Sequence, residues 1–335
     1  MGMFIIDTDP GMGFYCADID DNLAILFALR AGLNVGLITL VSGNVRAGEA
    51  YKSISTFLAL AGYRGIPIAV GGETTLSGPI KTGQERIKSF LQEVGIGCPG
   101  DSENEISVPS PLFPALPTPA PLALLETVRQ AGSGEVTILA LGPLTNIALA
   151  ILLDSETMRR VSQIIVMGGA FDNLSSSIPP IEFNIQTDPE AAAIVLDSGI
   201  PLTLVPLDVT MKVSYCLDEL KDVFGQPLAL NNFILTWCEQ WSKVSKQVFG
   251  SGCIVPHDCV AVGYVLRPDL YEVKTAPVRV ELFGRFTRGE TLILPSSQPA
   301  KNEGAIRVCT NINVRAFKRY FAELMAIGSE NESQE

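Results

Sequence analysis

Short apolar runs separated by segments of helical length repeat along this chain, and that alternation leaves few folds open. The runs fall at 3–6, 35–41, 66–70, 136–141, 162–167 and 201–206. They lack the every-other-residue polarity of a half-solvated sheet, so the strands are expected to be covered on both faces. Helical spacing of apolar residues recurs over 20–31, 47–61, 83–93, 120–131, 144–153, 188–197, 217–224, 230–246, 258–265 and 312–326. This order predicts an α/β fold with a single open, mainly parallel sheet and helices on both faces. Two stretches break the rhythm. Residues 97–120 are rich in proline and serine and predict a long surface excursion. Residues 270–310 hold β-rich segments at 278–282, 291–294 and 305–308, which predict a small antiparallel addition before the last helix. No internal repeat or linker divides the sequence. Residues 1–328 are therefore expected to form one domain, with a polar, acidic tail at 329–335.

The first strand carries the chemistry. Phe4-Ile5-Ile6 runs into Asp7-Thr8-Asp9-Pro10-Gly11, and Asp18, Asp20 and Asp21 follow before the helical segment 22–29. Five carboxylates thus gather at the carboxyl end of a strand, where open α/β sheets bind ligands. Helix capping and the helix dipole account for Asp20 and Asp21. They leave Asp7 and Asp9, whose burial without partners is costly. Like charges this close need a cation, a proton or bulk water. Hard oxygen ligands in such number point to Ca²⁺ or Mg²⁺.

Composition narrows the partners. The 335 residues are 47% hydrophobic and 18% charged, enough for a large core. A net charge of −12 with no basic run speaks against nucleic acid and acidic membrane surfaces. No apolar stretch reaches membrane-spanning length. A strand starts almost at the first residue, so no signal peptide is expected. The seven cysteines (16, 98, 216, 238, 253, 259 and 309) are odd in number and form no C-x-x-C. They read as free thiols in a reducing, cytoplasmic setting. The single histidine, His257, has only Cys253 and Cys259 nearby, a poor zinc set.

Other polar residues sit where strands end. Ser42-Gly43-Asn44 reads as a turn, and the segment Gly142-Pro143-Leu144-Thr145-Asn146 as a tight turn opening a helix. Asp188-Pro189 reads as a helix cap and first helical residue. Glu182 and Asn184, two apart, are expected on one side of an extended segment, which is either a ligand-facing strand or a solvent-facing edge. His257-Asp258 opens a later helix, with Asp258 a candidate cap.

Together these segments resemble the inosine–uridine preferring nucleoside hydrolase family over nearly the whole chain. Its D-x-D-P-G-x-D-D pattern is met by Asp7, Asp9, Pro10, Gly11, Asp20 and Asp21. Its G-N is Gly43-Asn44, its L-G-P-L-T-N-I-A is 141–148, its M-G-G is 167–169, its E-F-N is 182–184, and its H-D is His257-Asp258. The resemblance implies Ca²⁺-dependent hydrolysis of the N-glycosidic bond of ribonucleosides to free base and ribose, by a homo-oligomer (dimer or tetramer). It implies Ca²⁺ held by Asp9, Asp21, Asp258 and the Thr145 carbonyl, with Asp9 also the general base. It places Asp20 and Asp258 on the ribose 2′- and 3′-hydroxyls and Asn44 by the ribose and attacking water. Met167 lies under the sugar, and Glu182 and Asn184 lie at its 3′/5′ side. The chemistry agrees. Such hydrolysis passes through an oxocarbenium-like sugar, which nearby carboxylates stabilise. A carboxylate base beside a Ca²⁺-bound water takes its proton. The leaving base needs a proton, and His257 is the candidate acid.

The sequence departs from the family pattern in two places. Eight residues, 12–19, separate Gly11 from Asp20 where the pattern has one, and they are expected to form a wall or lid in which Asp18 rivals Asp20. The H-G found in many members near 97–105 is absent, which leaves base specificity open. Aromatic contact to the base is expected from 237–249, Trp241 first, with core packing of Trp237 and Trp241 the equal alternative. Two other classes compete. A haloacid-dehalogenase-like phosphatase also begins with a D-x-D strand, but no late Asp-Asp pair is found. A catalytically silent nucleoside- or ribose-binding protein would not need the retained Asp9.

Overall fold

The first strand, β1 (Met3–Thr8), sends alternate side chains into two separate cores. Phe4 and Ile6 join one apolar layer and Ile5 the other; Ile38 and Leu37 on β2 (Val35–Leu40) divide in the same way. This is the structural meaning of strands without polar alternation. The structure, a computed structural model, describes residues 2–97, 111–171, 181–294 and 306–326. The further strands are β3 (Ile68–Val70), β4 (Thr74–Thr75), β5 (Gly78–Pro79), β6 (Val136–Ala140), β7 (Gln163–Met167), β8 (Leu202–Val205), β9 (Tyr271–Ala276), β10 (Val278–Val280), β11 (Thr291–Ile293) and β12 (Ile306–Ile312).

Eight of them form the main sheet in the order β3-β2-β1-β6-β7-β8-β12-β9. Pairing is parallel from β3 through β12 and antiparallel only between β12 and β9. The helices Asp20–Arg30, Ala47–Leu60, Ala229–Phe249, His257–Leu266 and Val314–Met325 cover one face. The helices Ala120–Gln130, Thr145–Leu153 and Pro189–Leu196 cover the other. Strand order reverses between β1 and β6, so the crevice beyond their carboxyl ends is the switch point where such sheets bind ligands. The loops after β1, β2 and β6 all open there.

The β-rich stretch near the C-terminus is only partly a separate addition. β10 and β11 pair antiparallel on their own. β12 instead enters the main sheet beside β8, with β9 outside it. Burial explains this: Ile306 and Val308 fill one core, Cys309 and Ile312 the other, so the strand needs cover on both faces. The helix expected at 230–246 runs through Ala229–Phe249 and stops at Gly250, whose left-handed φ of 75° suits glycine. Residues 98–110 of the proline-rich excursion, Cys98 among them, and the tail 329–335 lie outside the described residues. The six described cysteines form no disulfide among the described residues. Among the described residues no helix is long and apolar enough to cross a membrane.

Candidate active site

The backbones of two loops close around the end of β1. A Cβ on Gly142 would stand 2.7 Å from Asp9 Oδ1, and one on Gly43 would overlap Asp9 Oδ2. Glycine is required at both positions because backbone from the β2 and β6 loops clasps the Asp9 carboxylate. Asn44 N donates to Asp9 Oδ2 at 2.5 Å. Asp21, in the first turn of its helix, binds the strand end: Thr8 Oγ1 donates to its Oδ1 at 2.5 Å and Asp9 N at 3.0 Å. Asn44 Nδ2 donates to Asp21 Oδ2 at 3.1 Å. Asp258 N donates to Asp20 Oδ2 at 3.1 Å, joining the first helix to one near the other end of the chain.

Ligand atoms of Asp20, Asp21 and Asp258 all lie within 4.8 Å of one another, and these three and Asp9 are at most 4% exposed. None of the four forms an ion pair with Lys, Arg or His among the described residues. Burial raises every carboxyl in the group. The charge of Asp21 raises Asp9 further, Asp18 and Asp21 raise Asp20, and Asp20 raises Asp258. Thr8 and Asp9 N–H bonds hold Asp21 down against its burial. A buried, all-oxygen donor set lacking a cationic side chain suits a hard divalent cation, which would take the place of those protons.

Asp18 belongs to this neighbourhood. Burial pushes its carboxyl up to about 7, and its charge in turn raises Asp20 and Asp258. Its Oδ1 accepts from Ile19 N at 2.7 Å. The inserted loop that carries it is pinned on several sides. Met12 N donates to Asn22 Oδ1 at 3.1 Å, Ser53 Oγ to the Met12 carbonyl at 2.6 Å, and Gln84 Nε2 to the Tyr15 carbonyl at 2.8 Å. The Tyr15 ring meets Trp237 edge-on with centroids 5.1 Å apart. Trp241 is also buried, with its ring centroid 6.5 Å from that of Phe249.

Asp7 stands apart from the group. Its Oδ1 accepts from Thr39 Oγ1 at 2.5 Å and Asn146 Nδ2 at 2.8 Å, while burial pushes the carboxyl up to about 7. It ties β1 to β2 and to the helix that Thr145 begins. The Thr145 hydroxyl donates to Asp188 Oδ2 at 2.7 Å, and Asp188 Oδ1 accepts from Ala191 N at 3.1 Å. The expected cap is present and also positions Thr145.

The extended segment expected at 182–184 is a correction. Glu182 caps a short helix, Phe183–Thr187, accepting from Asn184 N at 2.8 Å and Ile185 N at 3.0 Å. A carboxylate that satisfies the first free N–H groups favours a helical turn over a strand. Both residues still face inward. Glu182 is 3% exposed, and burial pushes it up to about 7 against its backbone N–H bonds. Asn184 Nδ2 donates to the Leu141 carbonyl at 2.7 Å and the Met167 carbonyl at 3.2 Å, and lies 3.6 Å from Met167 Sδ. Asp20 and Asp258 are first-turn residues, not caps: Ile19 and Pro256 take the cap positions. His257 begins its helix with Nδ1 2.7 Å from Thr210 Oγ1. Burial pushes its pKa down to about 4, so the imidazole is neutral at pH 7.

Thr8, Asn22, Gln84 and Asn146 were not singled out by sequence reasoning. Each has polar neighbours in sequence that drew the attention instead, and only the packing shows what it holds.

A parallel sheet with buried carboxylates at its switch point defines an α/β enzyme whose site is built to handle positive charge. Residues 4–319 match the family model of inosine-uridine preferring nucleoside hydrolase. A uridine nucleosidase of Arabidopsis thaliana is 36% identical over 285 residues, 84% of this chain and 78% of the relative. A non-specific ribonucleoside hydrolase of Escherichia coli is 31% identical over 328 residues, 97% of this chain and 98% of the relative. Among solved structures, a plant nucleoside hydrolase superposes with a TM-score of 0.80 at 29% identity, covering 98% of this chain and 99% of that one. An inosine-guanosine nucleoside hydrolase gives 0.76 at 26%, covering 98% and 99%. The chain belongs to the inosine–uridine preferring nucleoside hydrolase family, an enzyme family, and the phosphatase reading falls away.

Proposed function

We propose that this protein is a Ca²⁺-dependent ribonucleoside hydrolase, releasing free base and ribose. The observation that carries the reading is the buried group of Asp9, Asp20, Asp21 and Asp258, whose carboxyls are all raised and which lack a cationic side chain among the described residues. Asp9, Asp21, Asp258 and the Thr145 carbonyl would hold the ion. Bound there, Ca²⁺ would balance the acids and make a water easier to deprotonate.

The chain's own groups do the rest. Asp9 takes the water's proton, held in place by Asn44 N and by the two glycines beside it. Asp20 and Asp258 receive the ribose 2′- and 3′-hydroxyls. Asn184, anchored on the Leu141 and Met167 carbonyls, and Glu182 take the 3′/5′ side of the sugar, with Met167 beneath it. As the C–N bond breaks, the sugar becomes cationic and the surrounding carboxylates stabilise it. His257 acts as a neutral imidazole. In the tautomer where the Thr210 hydroxyl donates to Nδ1, Nε2–H is left to hydrogen-bond the departing base, which takes its proton from water.

The test is reducing-sugar release from a nucleoside panel in Ca²⁺ and in chelator. Uridine leads the panel because a 36% identical relative is a uridine nucleosidase. Ribose release that chelation stops and Ca²⁺ restores is expected. Saturable nucleoside binding without ribose release would make this a silent binding protein.

A further inference from the structure

The short helix that Glu182 caps also borders a second cavity. A cleft of about 400 Å³ is lined by Arg86, Ile181, Gln186, Arg285, Phe286 and Arg288. Three guanidinium groups in one cleft run against a net charge of −12. Among the described residues only Arg288 has a carboxylate partner: its Nη2 lies 2.6 and 2.7 Å from the two oxygens of Glu190. Arg86 donates to neutral oxygens alone, Gln186 Oε1 at 2.9 Å and the Lys81 carbonyl at 3.1 Å, and lies over the Phe183 ring at 5.3 Å. Arg285 lies over the Phe286 ring at 5.2 Å. Neither forms an ion pair among the described residues. Arg86 is half-buried, and burial lowers its pKa with no neighbouring acid to offset it. A desolvated cation without a counter-charge is the reverse of the usual arrangement.

The cleft adjoins the active site. The Phe183 ring tip and Asn44 Oδ1 both lie 3.3 Å from the position a Cβ on Gly83 would take. Arg86, stacked on Phe183, is therefore one aromatic ring away from the residue that bonds Asp9 and Asp21. It lies on the side of the site where Glu182 and Asn184 stand.

We propose that this cleft binds a phosphate dianion at the rim of the active site. Two uncompensated guanidinium groups match the roughly −1.5 to −2 charge of a phosphomonoester at pH 7. Their planar forks suit its oxygens, whereas Glu190 fixes Arg288 as part of the wall. The proposal goes beyond nucleoside hydrolysis, since none of the lining residues belongs to the site described above.

The test is calorimetric binding of inorganic phosphate and of uridine 5′-monophosphate to the full chain. It compares wild type with Arg86→Gln and Arg285→Gln, each checked by its melting temperature. Arg285 is exposed, so its substitution leaves the fold intact. Saturable binding that weakens ~10-fold or more in either variant is expected for loss of a charge-assisted hydrogen bond. If the nucleotide binds at least ~10-fold tighter than phosphate and uridine displaces it, the anion is carried on a nucleotide whose sugar occupies the site. If it binds no tighter and uridine leaves it in place, free phosphate is the ligand. Binding that both substitutions leave unchanged, or no saturation below roughly 10 mM, a strength of under 3 kcal/mol, overturns the proposal. None of these readouts requires turnover, so they stand apart from the nucleosidase assay.

Discussion

Asp9→Asn separates what the carboxylate does for catalysis from what it does to stability. The site accepts no larger or reshaped side chain, because Gly43 and Gly142 leave no room around the Asp9 oxygens. Asn keeps the shape, and its carbonyl oxygen still accepts from Asn44 N. What it lacks is the negative charge and the basicity. Losing a general base is expected to lower kcat by about 10²–10⁴-fold, or roughly 3–5 kcal/mol. Stability should move the other way when Ca²⁺ is chelated. Burial and Asp21 raise the folded-state pKa of Asp9, so its stabilising contribution is present at low pH and is lost as pH rises. Above that range the ionised side chain is a buried charge among like charges, a cost of about 3–5 kcal/mol when uncompensated. The variant in chelator is therefore expected to melt increasingly higher than wild type as pH rises, with the gap closing as pH falls. Excess Ca²⁺ should reverse the order, because the variant has lost a ligand. Scanning calorimetry with and without chelator, alongside ribose release, reads both effects. Activity above about a hundredth of wild type would rule out Asp9 as base, and a melting-temperature gap in chelator that does not widen with rising pH would refute the electrostatic account.

Three further outcomes are expected. Ca²⁺ at about 100 times its Kd should stabilise the protein by about 2.7 kcal/mol and release protons on binding, and an identical melting temperature in Ca²⁺ and in chelator would mean there is no site. His257→Ala should slow uridine hydrolysis at least ~10-fold more than hydrolysis of p-nitrophenyl riboside, whose phenolate leaves unprotonated; equal losses would assign His257 to holding the site through Thr210. Glu182 has its pKa raised from 4.5 to about 7, so the stability it contributes is complete below the first value and gone above the second. That is about 3 kcal/mol, and Glu182→Gln should flatten the corresponding fall in melting temperature, while an unchanged pH slope would refute the shift.

Much of this arrangement is written in local sequence. The two-layer sheet follows from strands such as β1 that are apolar on both sides, and the active site from the density of acids after it. Asp20, Asp21 and Asp258 do converge, although Asp258 lies 237 positions beyond Asp21, and Asn44 bonds both Asp9 and Asp21. Where local reading fell short, the cause is non-local. β12 looked like part of a separate hairpin because nothing in its residues says that β8 will be its neighbour. Asp7 looked like a fifth member of the acid group until Thr39 and Asn146 claimed its oxygen. Glu182 looked like a strand residue because glutamate is not among the preferred helix caps. The arginine cleft is invisible in sequence, since its lining comes from three separated segments.

The bond from Asp258 N to Asp20 Oδ2 spans 238 positions, and it sets an order on synthesis. A growing chain presents its first acids early, yet the residue that completes their group emerges only after most of the protein has been made. β9 likewise emerges before β12, the strand that must slot between it and β8. Contacts of such long range form late and slow a chain's folding. Until then Thr8 and Asn44 can bridge Asp9 and Asp21, but Asp20 lacks the Asp258 N–H it accepts from, so an N-terminal fragment ending before residue 258 lacks one acid of the group. On the proposed Ca²⁺ reading, metal retention would mark a chain that has grown past residue 258.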